Sequence, residues 1–203
     1  MAIYLHIKKE KALTEGADGR LKRSARSRKE IIDAMIVLMN SGMYAPTAQK
    51  IADEAGVSIR TLFRHFPEMD MLYREVDEAI KPSYLHYFDK QLMTGPIEKR
   101  IISAVDARIM TYIETAHVEK ATHSLLWRSK FMQENYRRVQ TNIRKNLLKV
   151  LPELKKLSQE SREVVEAVTS FEFFERLHTH QKVSEKACKK LIINLVSEQL
   201  GVS

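Results

Sequence analysis

The chain's 203 residues give room for two compact units or one extended one, and 44% hydrophobic with 30% charged residues is an ordinary globular balance. Six Gly and five Pro leave little material for a turn-rich β architecture, no apolar stretch is long enough to span a bilayer, and the single Cys188 cannot form an internal disulfide, which suits a reducing cytoplasm. The net charge of +8 is unevenly placed: residues 20–66 hold nine Lys/Arg against four Asp/Glu, whereas residues 67–80 hold one Arg against five acids. A basic segment beside an acidic one is a plausible nucleic-acid footprint.

In chain order, the opening MAIYLHIKKEK sets a short apolar piece before charge, the reverse of a secretory signal. Residues 1–22 show no sustained period and contain GADGR, which predicts a flexible N-terminal arm. Ser27 and Glu30 form a capping-box pattern, and Ile31, Met35, Leu38 and Met39 follow at helical spacing until Ser41-Gly42. Thr47 caps the next helix, which runs through Ile51, Ala52 and Ala55 to Gly56. Ser58 caps a third, short helix that ends near Phe66, because Pro67 blocks its continuation. A fourth follows with Leu72, Val76 and Ile80 on one face, and Lys81-Pro82 is expected to kink or end it.

Beyond this point every long segment again carries a helical period. Gly95-Pro96 opens a helix to about Ala116, apolar runs cover about 120–132 and 133–150, and Leu151-Pro152 breaks the pattern. Two further helices are expected at about 160–179 and 184–199. Nothing alternates with period two for long, so the fold is expected to be all-α. Val164, Val168 and Phe171 share one face of the penultimate helix, with Phe173, Phe174 and Leu177 on another. Ala187, Leu191 and Leu195 form a stripe on the last helix that Cys188, Ile192 and Val196 widen. A stripe wider than about 100° asks for cover from more than one side, and a symmetry mate is one such cover. Val168, Phe171, Leu177, Leu191 and Leu195 are therefore the candidate dimer residues; a central helix in a monomeric core is the alternative.

The segment TAQKIADEAGVSIRTLFRHF at 47–66 carries the chemistry. Ile51, Ala52 and Ala55 face inward, Ala52 is small enough for close helix approach, and Gly56 supplies the positive φ of a tight turn. Val57 buries the turn while Leu62 and Phe66 anchor the second helix. Ile59, Arg60, Thr61, Phe63, Arg64 and His65 remain for a DNA groove, with no acid among them. Arg60 and Arg64 can reach guanine edges or phosphates, and Thr47 and Ser58 sit at helix N-termini that attract phosphate. Arg26 and Arg28 could reach the flank or the minor groove. For each residue alone, a solvated arginine or a plain cap is the bland alternative.

From Ser27 to Leu72 the chain resembles the DNA-binding domain of tetracycline-repressor (TetR) type regulators, through Thr47, IADEAGVS at 51–58, TLFRHF at 61–66, Pro67 and Leu72. SFEFFERLHTHQKVS at 170–184 and the helix after it are similar to the end of many family members. Two residues depart from the pattern: Phe63 stands where the family often has Tyr, and Met69 where it commonly has Lys, each removing a backbone contact. The resemblance implies an arm at 1–22, a helix-turn-helix DNA-binding domain at 23–82 and a helical ligand-binding and dimerisation domain at 83–203. It further implies a homodimer on double-stranded, pseudo-palindromic operator DNA, released when an unidentified small-molecule effector pivots the fourth helix.

The expected effector-site residues are Met110, Tyr112, His123, Trp127, Phe131 and Phe174, apolar or aromatic side chains that equally suit any helical core. Trp127 offers a stacking face and a donor. Catalysis finds no support: the seven histidines are scattered, with no Cys/His/acid cluster, no Gly-rich phosphate loop and no nucleophile elbow. No metal and no cofactor is expected, and no membrane partner. The competing reading is a helical ligand-binding or adaptor protein that acts through protein partners without binding an operator.

Overall fold

The computed structural model describes the backbone of residues 2–202 and the side chains of residues 19–202. It divides into two units, residues 1–79 and 80–203. Both are helical, and there is no strand among the described residues.

The N-terminal unit opens with α1, Ala2–Asn40. Its backbone is helical through the stretch expected to be a separate arm, most of whose side chains lie outside the described set. Ser27 therefore sits inside a helix and caps nothing. Glu30 accepts from Arg26 at 2.8 Å instead of turning back to a helix start. Ile31, Ala34, Met35 and Met39 recur every three or four residues and are buried, and this stripe holds α2 (Ala48–Glu54) and α3 (Ile59–His65). Ile51, Ala52, Leu62 and Phe66 complete the core from the other side. Leu72, Tyr73 and Val76 are buried at the start of α4, Met69–Asp89. Pro82 lies within α4 and does not end it; its exposed ring removes one backbone donor, and the Ser83 hydroxyl donates to Ile80 O at 2.8 Å.

The C-terminal unit is built on α5, Ile97–Leu125, one unbroken helix where two were expected. Residues 116–120 are ordinary helix formers, and the hydroxyls of Thr111 and Thr115 donate to carbonyls one turn back, at 2.7 and 2.8 Å, instead of competing for a break. α5 packs on α6 (Lys130–Val150), α8 (Phe171–Glu175) and α9 (Glu185–Gln199), while α7 (Gln159–Val168) packs on α9. The helix expected over 160–179 is split. The Thr169 hydroxyl donates to Val165 O at 2.8 Å, and Ser170 caps a new start by accepting from Phe173 N at 3.2 Å. α8 then loosens into a π-helical turn at Arg176–His180.

This break re-aims the apolar residues. Val165, Val168, Phe171, Phe174 and Leu177 all enter one core with Ile101, Val105, Ile109, Leu147, Cys188, Ile192 and Val196. Val164 is left exposed, so the two faces expected on a single helix do not exist.

Candidate functional site

The reading head is assembled by two capped seven-residue helices. Thr47 Oγ1 accepts from Lys50 N at 3.3 Å, and Ser58 Oγ accepts from Thr61 N at 3.1 Å. Gly56 has φ +65°, which lets α2 close with Val57 N donating to Ala52 O at 2.9 Å. An added Cβ there would meet no atom within 4 Å, so the requirement for glycine is the backbone angle alone.

With Leu62 and Phe66 fully buried, α3 turns its remaining residues outward. Ile59, Arg60, Phe63 and Arg64 are exposed and Thr61 is half-buried, its hydroxyl 3.0 Å from that of Ser58. Lys50 and Gln49 on α2 are exposed as well and were not singled out from sequence; Lys50 is the head's only Lys between α1 and α3, a signal within reach. Arg26 is exposed and paired with Glu30.

Two expected contacts sit elsewhere. Arg28 is a clamp within the head: its Nη1 donates to His65 O at 3.1 Å, its Nη2 pairs with Glu75 at 2.9 Å, and its guanidinium carbon lies 4.4 Å from the Phe66 ring centroid. A cation at the C-terminal end of α3 and over an aromatic face is favourably placed on both counts. His65 is half-buried; its Nε2 is enclosed with no hydrogen-bond partner. Burial, then the neighbouring Arg64 and Arg28 charges, hold the imidazole below its ordinary value, so it is neutral near pH 7.

Of the residues expected around an effector, Tyr112 and Phe174 lie together, with ring centroids 6.2 Å apart, while Met110 and Trp127 lie elsewhere. Met110 borders a cavity of about 400 Å³ with Tyr87, Ile102 and Asp106. Tyr112 is buried and its hydroxyl donates to Thr169 O at 2.7 Å; burial pushes the phenol up to about 12. Phe174 is buried against the stacked ring of His178, 5.3 Å away, and Phe131 is half-buried. Trp127 is 78% exposed, with Nε1 donating to Ser124 O at 3.0 Å: it lies at the turn where α5 gives way to α6, on the surface and not in an interior. His123 stands 3.2 Å from Glu172, which also accepts the Tyr136 hydroxyl. The interaction with Glu172 raises His123, and the same contact is the chief cause of Glu172 lying at about 2.

Of the expected dimer residues, Val168, Phe171 and Leu177 are consumed by the unit's own core, Leu195 is partly buried against it, and Leu191 is 39% exposed. Sequence reasoning missed Arg108, which is 3% exposed; a lone arginine between Ala104-Val105 and Tyr112 on an apolar helix face was the available signal. No group of three or more His, Cys, Asp or Glu is placed to hold a metal among the described residues, and no helix is long and apolar enough to cross a membrane.

A short, capped helix pair whose second helix exposes no acid is an architecture that DNA-binding proteins use. Residues 31–76 match the family of bacterial regulatory proteins called the tetR family. It is 28% identical over 117 residues to the nucleoid occlusion factor SlmA of Haemophilus ducreyi, an alignment covering 56% of each chain, so it matches little more than half of that relative. In fold it is similar to a transcriptional regulator from Rhodococcus sp. Rha1, with TM-score 0.65, 16% identity, and 88% of this chain and 96% of that one covered. A proposed transcriptional regulator from Streptomyces coelicolor A3(2) is similar at TM-score 0.60 and 16% identity, covering 86% and 98%.

Proposed function

We propose that the protein is a homodimeric, cytoplasmic repressor that binds a pseudo-palindromic operator and leaves it when a small molecule binds its C-terminal unit. The single observation behind the DNA half is the division of α3 into a buried pair, Leu62 and Phe66, and an exposed set without an acid, Ile59, Arg60, Thr61, Phe63 and Arg64. In this reading Arg60 and Arg64 address base edges or phosphates, and Lys50 and Arg26 add backbone charge. Thr47 spends its oxygen on the cap and keeps its hydroxyl proton for a phosphate. Arg28 and His65 hold the frame and touch no DNA.

The dimer would be formed by the C-terminal units. α7 and α9 pack on one another and each leaves an apolar side chain exposed, Val164 and Leu191. A ligand that prefers the wide-set dimer draws the population off the operator, and the operator weakens that ligand in return. The reading assigns no catalytic step to the chain.

The experiment is a salt titration of the protein against its own upstream DNA. A sequence-specific complex over a salt-sensitive background is expected. Arg60→Ala should cost about 1–3 kcal/mol and relax preference at one base pair. Equal weakening on every sequence would move Arg60 to a phosphate. The competing reading, an adaptor acting through protein partners, draws on the exposed Ile59 and Phe63 on the same face. It prevails if no specific complex forms at any salt.

A further inference from the structure

α5 buries two arginines, Arg100 at 7% exposure and Arg108 at 3%, and treats them differently. Arg100 donates to Gly95 O at 3.1 Å and Val150 O at 2.8 Å, and also to the Glu153 carboxylate, at 3.0 Å and through a second, shorter contact. Its charge is met by a carboxylate inside the protein. Arg108, two turns further along, donates to carbonyls, Ile143 O at 2.9 Å and Thr169 O at 3.3 Å, and lies against the Tyr112 hydroxyl. Its Nε is enclosed and has no hydrogen-bond partner. A permanent cation enclosed without an anion is a costly arrangement for a protein to keep.

What Arg108 has in place of a carboxylate is a cavity. About 350 Å³ opens beside it, bordered by Gln140, Thr141, Ile143, Arg144, Glu166 and Ser170. The one acid at this border is already engaged, since Glu166 accepts from Arg144 Nε at 2.6 Å. Arg144 is shared with Glu163, at 3.1 Å, so Arg108 is the cation at this border with no carboxylate partner of its own. Ser170 Oγ accepts from Phe173 N and its hydroxyl is shared with Glu172, while Gln140 brings an amide. The size falls at the low end of small-molecule sites.

We infer that this cavity binds a small organic carboxylate, whose charge is met by the Arg108 guanidinium as that of Glu153 is met by Arg100. A single guanidinium with a neutral amide donor beside it suits a singly charged carboxylate; a phosphate dianion would call for more. The inference deepens the effector half of the proposed function and rests on it for biological meaning, but not for the binding itself.

The test uses the full chain, labelled with ¹⁵N, and follows the Arg108 Nε–Hε signal, assigned by its loss in Arg108→Lys. Benzoate and hexanoate are titrated against benzamide, hexanamide, chloride and inorganic phosphate. A saturable shift of that signal with an acid, and none with its amide, is expected. Arg108→Gln should weaken the same acid roughly tenfold or more, the loss of a charge-assisted hydrogen bond. The acid-against-amide comparison on the unaltered chain stands even if that variant folds poorly. No saturable shift with either acid, an equal shift with the amide, or an equal response to chloride or phosphate overturns the inference. If a carboxylate releases DNA without moving the Arg108 signal, the site is wrong and the effector reading survives. If a carboxylate saturates Arg108 and leaves the DNA complex intact, the site stands and the effector reading falls.

Discussion

The two units solve the problem of polar groups in opposite ways. In the N-terminal unit the interior is apolar, and polar work is done at helix ends and at the rim: Thr47 and Ser58 cap, and Arg28 clamps from a half-buried position. In the C-terminal unit polar groups run through the interior, with Arg100, Arg108, Thr111, Thr115, Thr122 and Thr169 all buried. The hydroxyls of Thr111, Thr115 and Thr169 turn back on their own helix, but two guanidiniums must find partners across helices. An apolar interior has one way to be satisfied. A polar interior can be satisfied by protein or by a ligand, which is why the second unit is the place to look for a response.

The contrast can be broken most sharply at Phe66. As a fully buried ring under Arg28 it should cost about 3–5 kcal/mol when cut to alanine, read by chemical denaturation. A cost under 1 kcal/mol would mean that the head's core does not depend on it. Next, the two arginines of α5 should part company on replacement by methionine. Arg100→Met strands Glu153 and should cost about 2 kcal/mol. Arg108→Met strands no acid, and Thr169 O keeps its bond from Tyr112, so its stability should lie within about 1 kcal/mol of the parent. Equal costs would erase the distinction on which the cavity's assignment rests.

Ser58→Ala should cost about 1 kcal/mol through the lost cap, with the exposed face of α3 unchanged in composition. The smallest effect is a pH dependence confined to the C-terminal unit. His123, raised above its ordinary 6.5 by Glu172, lends stability that is complete below 6.5 and lost as the pH climbs through its raised folded value. Glu172, held at about 2, lends stability that is complete above its ordinary 4.5 and lost as the pH falls toward 2. The pair is therefore at full strength between pH 4.5 and 6.5, and Glu172→Gln should lower thermal stability within that window and flatten its fall on either side. An unchanged profile in Glu172→Gln would remove the pair from the account.

The head was legible in the sequence because its determinants are local. A hydroxyl three residues before a backbone donor, a glycine with positive φ and an apolar residue every three or four positions act over distances shorter than a helix. The helix-turn-helix at 47–66 follows from these alone. Arg28 was misread because its partners, His65, Phe66 and Glu75, lie 37 to 47 residues away, and an arginine beside other bases looks like a free cation. The same limit hid the C-terminal site. Arg108 reaches Ile143 and Thr169, and nothing within a turn of Arg108 announces either. Trp127 failed for a different reason: ring chemistry says what a side chain can do, not which way the chain turns at the end of α5. The split at Thr169-Ser170 was visible as two adjacent hydroxyls, but an unbroken apolar period across them outweighed it.

The separation of faces on α3 has a consequence for how this reader can change. Leu62 and Phe66 are committed to the core, whereas Ile59, Arg60, Phe63 and Arg64 lie exposed on the same two turns. On the proposed function, address and chassis are thus encoded by different residues, and drift in the first does not loosen the second. Duplicated copies of such a head could diverge to new operators by a handful of surface exchanges, each nearly neutral for folding. Arg28 marks the boundary of that freedom: it looks like part of the address, yet altering it would disturb the chassis.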